Sequence, residues 1–184
     1  MARTPSVMIE LGTKLPSFRL PDVDGRPVAS DDVAKSKGLL VMFICNHCPF
    51  VKHLHPVLGE RANAWVKAGL GVVAISSNDA VAYPEDSPEK MKQESRERGF
   101  GFPYLFDETQ SVAKAFRAAC TPDFFLFDGS QRLVYRGQFD ASRPGNGKAV
   151  NGEDLERAVQ ALLANKPIDS NQMPSIGCNI KWRA

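Results

Sequence analysis

The sequence has almost no net charge: 23 Lys and Arg against 21 Asp and Glu leave +2 over 184 residues. Without a basic patch or an aromatic-studded basic stretch, nucleic acid is not the expected partner. There is also no apolar run near the roughly 18 residues that a membrane span needs, and no apolar core of a secretory signal within the first ten residues. No membrane association is expected, and a cytoplasmic address follows. Histidine is scarce, with three in the chain, and cysteine is limited to four. In a cytosolic chain four cysteines suit redox chemistry or metal binding better than structural disulfides, because that compartment keeps ordinary thiols reduced. Internal repeats and low-complexity segments are missing too. What remains is 43% hydrophobic and 24% charged, the make-up of one ordinary globular domain spanning residues 1–184.

The informative stretch is 38–58. A strand-length apolar run, Leu39 to Ile44, leads directly into Cys45-Asn46-His47-Cys48-Pro49. Behind it Val51, Leu54, Leu58, Ala62 and Trp65 recur at helical spacing. The two cysteines therefore stand where a buried strand becomes a helix, beside unpaired N–H groups and the positive end of the helix dipole, and both favour thiolate. Pro49 suits the first helical turn, which needs no N–H there.

Around this unit the pattern predicts a small N-terminal hairpin (15–28), a second apolar strand (72–76), a polar loop (77–88) and a helix capped by Ser87. A strand (102–106), a helix (109–117), a strand (124–127) turned by Asp128-Gly129 onto 133–135, and an amphipathic helix (153–163) follow. Residues 168–184 read as an irregular tail. Alternating strands and helices that close on an antiparallel hairpin give an α/β fold, a mixed central sheet flanked by helices.

Cys-x-x-Cys at the first strand-to-helix junction reads as a dithiol that closes to a disulfide. One thiolate attacks and the other resolves the mixed intermediate. Cys45, first and at the exposed lip, is the expected attacking thiol, with Cys48 the resolver drawn into the helix. His47, between them, would stabilise a thiolate. A zinc site needs two further ligands, and His55 lies too far along the helix to share an ion with Cys48, so no metal is expected. His53 and His55 read as rim residues. Cys120 and Cys178 are candidate additional redox residues, Cys178 because Gly177 would let the tail move and Ile180 and Trp182 would anchor it. Asn78, Asp79, Tyr83 and Asp86, after the second strand, are candidates for lining a pocket.

The chain resembles the thioredoxin superfamily. The resemblance rests on Cys45-x-x-Cys48, on Cys120-Thr121-Pro122-Asp123-Phe124-Phe125, and on the opening Leu11-Gly12-x-x-Leu15-Pro16-x-Phe18-x-Leu20-x-Asp22-x-Asp24-Gly25. That opening is similar to the N-terminal hairpin of the redoxin branch, the alkyl hydroperoxide reductase and thiol-specific antioxidant proteins. The whole chain is similar to bacterial redoxin-domain proteins. The resemblance implies a thioredoxin-like fold with a cis Thr121–Pro122 bond packed against the active disulfide. It implies an oxidoreductase that needs no bound cofactor, acts on protein disulfides, small thiols or hydroperoxides, and is recharged by an upstream thiol reductant. Two rivals to a thiol-disulfide oxidoreductase stay open: a thiol peroxidase and a non-catalytic redox sensor. The peroxidase pattern of this branch is Pro-x-x-x-Thr-x-x-Cys. Here Cys45 takes the Thr place and Val41 the Pro place, which favours the dithiol.

Overall fold

The computed structural model describes residues 3–183. In chain order it comprises β1 (Arg3–Pro5), β2 (Arg19–Pro21), β3 (Pro27–Ala29), α1 (Ser30–Val33), β4 (Leu39–Phe43), α2 (Pro49–Lys67) and β5 (Gly71–Ser76). Then come α3 (Pro88–Glu97), β6 (Tyr104–Phe106), α4 (Ser111–Phe116), β7 (Cys120–Thr121), β8 (Asp123–Phe127), β9 (Leu133–Gly137), α5 (Glu153–Leu163) and β10 (Ile176–Asn179). The main sheet runs β6-β5-β4-β8-β9, with β4, β5 and β6 parallel and β8 and β9 antiparallel.

Strand β4 is buried at every residue because both faces of the sheet are covered. Alternate side chains divide between two cores. Leu40 and Met42 join Val72, Ala74, Phe124 and Leu126 beneath α2 and α5, whereas Leu39, Val41 and Phe43 join Val73, Ile75, Phe125 and Phe127 against α4 and the N-terminal segment. The stripe Val51, Leu54, Leu58, Ala62 and Trp65 is the buried face of α2, as its spacing predicts. Trp65 Nε1 donates to Glu156 Oε2 at 2.7 Å, which ties α2 to α5. This is the expected α/β thioredoxin-like layout, with β2 and β3 forming the N-terminal hairpin.

The tail differs from expectation. Residues 176–179 form a strand inside a second sheet of order β1-β10-β7, antiparallel to both neighbours. Gly177 has a packing role in this strand. A Cβ at this position would stand 2.0 Å from Thr121 O, so glycine is what lets β10 approach β7. Ile180 is buried as predicted, but Trp182 is 42% exposed and anchors nothing in the interior.

Candidate active site

The site forms where three chain segments meet. Strand β4 ends beside β5, with Ile44 N–H donating to Ile75 O at 3.0 Å, and Cys48 is the residue that caps α2. Strand β8 pairs with β4 in the register Phe43↔Asp123, which brings the preceding Thr121–Pro122 step, a cis peptide bond, over the cysteines. Cys45 Sγ lies 3.4 Å from Thr121 Oγ1, and in its thiol form Cys48 Sγ donates to Thr121 O at 3.2 Å. The third segment is β10, in which Cys178 pairs directly with Thr121.

Burial and hydrogen bonding at the two cysteines differ from expectation. Cys45 is no exposed lip, since it is 2% accessible and Cys48 0%. The proton is held by Cys45: donation to Cys48 pushes its thiol well above the ordinary range, reinforced by burial and by the Asp86 charge. Cys48 is the acidic member, pulled down to about 4 chiefly by the hydrogen bond from Cys45, against the cost of burial. The Thr121 side chain and the backbone N–H groups of Val51 and Cys178 lower it further. The helix-start argument thus holds for the cysteine that caps α2, not for the one that precedes it.

His47 is held by a buried aspartate. Asp86 accepts from the backbone N–H of Asn46 at 2.8 Å and of His47 at 3.2 Å, from Asn78 Nδ2 at 2.8 Å, and pairs with His47 Nδ1. That pairing raises the imidazole's pKa, and His47 and Asn78 in turn hold the Asp86 carboxyl below its ordinary value despite burial. Tyr83 stacks on His47 with ring centroids 5.3 Å apart and planes 7° from parallel.

Asn78, Asp79 and Tyr83 do not line the cleft beside the pair. Asn78 is buried and turned inward, where its Oδ1 accepts from Lys181 N–H at 2.8 Å. Asp79 lies farther out, with its N–H on Lys181 O at 2.9 Å and its carboxylate 3.7 Å from Arg183. Both residues therefore fasten the segment from Lys181 to Arg183, while Tyr83 covers the imidazole. The cleft, about 270 Å³, is lined instead by Asn46, His47, Lys52, Glu85 and Lys90 together with the α3 residues Gln93, Glu94 and Glu97.

Of the remaining candidates, Cys120 is buried, with its thiol donating to Pro122 O at 3.5 Å, and burial together with the nearby Asp123 pushes its pKa up. His53 reaches Ser142 Oγ at 3.1 Å and His55 pairs with Glu94 at 3.2 Å, so each joins α2 to a neighbouring segment. Sequence reasoning missed Asn46, whose side chain bonds Glu85 O at 2.9 Å and accepts from the Tyr104 hydroxyl at 3.1 Å, and Ser175, whose hydroxyl donates to Pro122 O at 2.6 Å. It also missed a metal-capable set. Donor atoms of Cys45, His47 and Asp86 lie within 4.8 Å of one another, although an ion there would have to displace the His47–Asp86 hydrogen bond and the Cys45 proton.

The profile of the AhpC/TSA family matches residues 11–136, which span the hairpin, the dithiol and the Thr121–Pro122 step. The chain belongs to the AhpC/TSA family. An uncharacterised conserved protein from Geobacillus kaustophilus is 53% identical, with a TM-score of 0.97 over 100% of this chain and 97% of that one. A hypothetical protein from Sinorhizobium meliloti 1021 is also 53% identical, with a TM-score of 0.96 over 98% of this chain and 99% of that one. A provisionally named peroxiredoxin from Mycobacterium tuberculosis is 28% identical over 62% of this chain and 68% of its own length. AhpC/TSA membership and the buried dithiol together mark an oxidoreductase of the redoxin type. Among the described residues no helix is long and apolar enough to cross a membrane.

Proposed function

We propose that the protein is a thiol-disulfide oxidoreductase whose Cys48 thiolate attacks a small oxidised substrate and whose Cys45 resolves the mixed intermediate. The observation that supports this most directly is geometric: Cys48 caps α2, and its buried sulfur and that of Cys45 both lie against Thr121. Attack forms a bond from Cys48 Sγ to one sulfur of the substrate disulfide and expels the other as thiolate. Cys45 then attacks Cys48 Sγ, closes the Cys45–Cys48 disulfide and releases the second substrate thiol. His47, held by Asp86, stands next to the pair as a proton donor for the departing thiolate. An external thiol reductant reopens the disulfide, and no bound cofactor takes part. Because both sulfurs are almost fully buried, a low-molecular-weight substrate fits better than an extended protein segment.

Hydroperoxide reduction is the second reading. It is favoured by the place of Cys48, which is the reactive cysteine's position in the peroxidase pattern, and by the named peroxiredoxin relative. The two readings separate in one experiment. The reduced protein is mixed with hydrogen peroxide or with glutathione disulfide under pseudo-first-order conditions, and Cys45–Cys48 closure is quantified by quenched alkylation. Faster closure with the disulfide supports the oxidoreductase, faster closure with peroxide supports the peroxidase, and closure with neither removes both.

A further inference from the structure

The strand edge at Thr121 is already occupied. A short extended backbone edge of this kind can receive a further chain by strand addition. Here β10 takes that edge in antiparallel register, Cys178↔Thr121 and Asn179↔Cys120, and is covered on its other side by β1. The occupation is built in at several points. Gly177 permits the close approach to Thr121 O, Ser175 bonds Pro122 O, Ile180 N–H bonds Ala119 O at 3.2 Å, and Lys181 is held by Asn78, Asp79 and Gln110. Within this arrangement Cys178 takes the place that a cysteine of a bound chain would have. Thr121 is its strand partner, Thr121 O is also the acceptor for Cys48 in its thiol form, and Cys178 and Cys48 belong to one buried cluster in which their sulfurs hydrogen-bond.

We propose that Cys178 is a third redox-active residue, an in-chain substitute for a substrate cysteine that exchanges the disulfide from Cys45–Cys48 to Cys48–Cys178. The proposal rests on the dithiol reading above. In the exchange Cys178 Sγ attacks Cys48 Sγ. The Cys48–Cys178 bond forms as the Cys45–Cys48 bond breaks, and the electron pair leaves on Cys45 Sγ. The proton given up by Cys178 ends on Cys45, so one disulfide replaces another with no net oxidation. The consequence for substrate choice is that a protein chain must first displace β10, while a small disulfide need not.

The test is non-reducing peptide mapping of the full-length protein after oxidation with glutathione disulfide and acid quench, for the parent, Cys45→Ser and Cys178→Ser. In Cys45→Ser, Cys48 first takes up glutathione, and the expected main product is the Cys48–Cys178 crosslink with glutathione expelled. The parent should give Cys45–Cys48 with a minor Cys48–Cys178 species, and Cys178→Ser should lose the latter entirely. If Cys45→Ser stops at the Cys48–glutathione adduct with Cys178 still alkylatable, the proposal is overturned while a Cys45–Cys48 bond in the parent leaves the oxidoreductase reading intact. If the parent closes no disulfide at all, both fall. Should Cys45→Ser fail to fold, the parent decides: a Cys48–Cys178 peptide that appears after Cys45–Cys48 supports the exchange, and its absence at every time point refutes it.

Discussion

Replacing Cys45 by alanine removes the group that contributes most to the acidity of Cys48. A hydrogen bond to a charged acceptor contributes about 1.5–3 kcal/mol, and at about 1.4 kcal/mol per pKa unit its loss should move the Cys48 midpoint up by about one to two units. From a starting value of about 4, Cys48 would still be mostly thiolate at neutral pH in the variant. A single measurement at pH 7 therefore misses the shift in ionisation, and the whole profile is needed. Intrinsic nucleophilicity moves the other way. With a Brønsted slope of about 0.4–0.5, a thiolate one to two units more basic reacts about three- to tenfold faster. The assay is the pH dependence of thiolate absorbance together with the rate at which a small alkylating reagent labels Cys48, read by peptide mass. Cys45→Ser keeps a donor at the same place and should shift the midpoint less than alanine does. A parent midpoint near the ordinary thiol value, or an alanine variant whose midpoint does not move, would refute the assignment of the charge to Cys48 and of its cause to Cys45.

Three further outcomes follow from the same contacts. Because the folded pKa of Cys48 lies below its unfolded value, its contribution to stability is present above about pH 9 and is lost as pH falls toward about 4; the stability of the reduced protein minus that of the Cys45–Cys48 disulfide form should shrink over this range in paired thermal melts. Asp123 has the opposite sign: burial pushes it up to about 8, so the unfolded chain ionises first, and Asp123→Asn should gain on the parent as pH rises from about 4 to about 8, with a ceiling of about 6 kcal/mol by chemical denaturation. Gly177→Ala places a methyl 2.0 Å from Thr121 O and should cost about 1–3 kcal/mol while exposing Cys48 to faster alkylation; an unchanged labelling rate would mean that β10 does not shield the sulfur.

The dithiol, the helix behind it and the Thr121–Pro122 step were legible because each is encoded locally, in a four-residue spacing, a helical stripe and a dipeptide. The second sheet was not. Strand β10 is Ile176-Gly177-Cys178-Asn179, too short and too poor in β-branched residues to show a period of two, and its partners are a two-residue strand and the N-terminal segment. Its existence depends on pairing across more than fifty residues. Asp86 was legible as a loop residue but not as a buried hub, since its four donors come from Asn46, His47 and Asn78, which only the folded loop gathers. The same physics misplaced the acidic thiol. The expectation that the first cysteine is exposed holds for an open helix start, and here the chain at Thr121 closes over it.

That closure bears on how the proposed cycle is ordered. The leading reason that Cys45 resists ionisation is its hydrogen bond to Cys48, and the Cys48 charge adds to it. Once Cys48 is bonded to a substrate sulfur, the charge is gone and the bond to it is weakened, because a disulfide sulfur is a poorer acceptor than a thiolate. The pKa of Cys45 then falls, held up only by burial and by Asp86. Cys45 is thus kept protonated while Cys48 waits for substrate and is released to attack when the mixed disulfide exists. A resolving thiol controlled in this way does not compete for substrate with its partner. Asp86 sets the limit of the release, since its charge opposes the Cys45 thiolate as it sustains the His47 imidazolium. In the proposed cycle one buried carboxylate thus both opposes the second ionisation and holds the imidazole placed to protonate the departing thiolate.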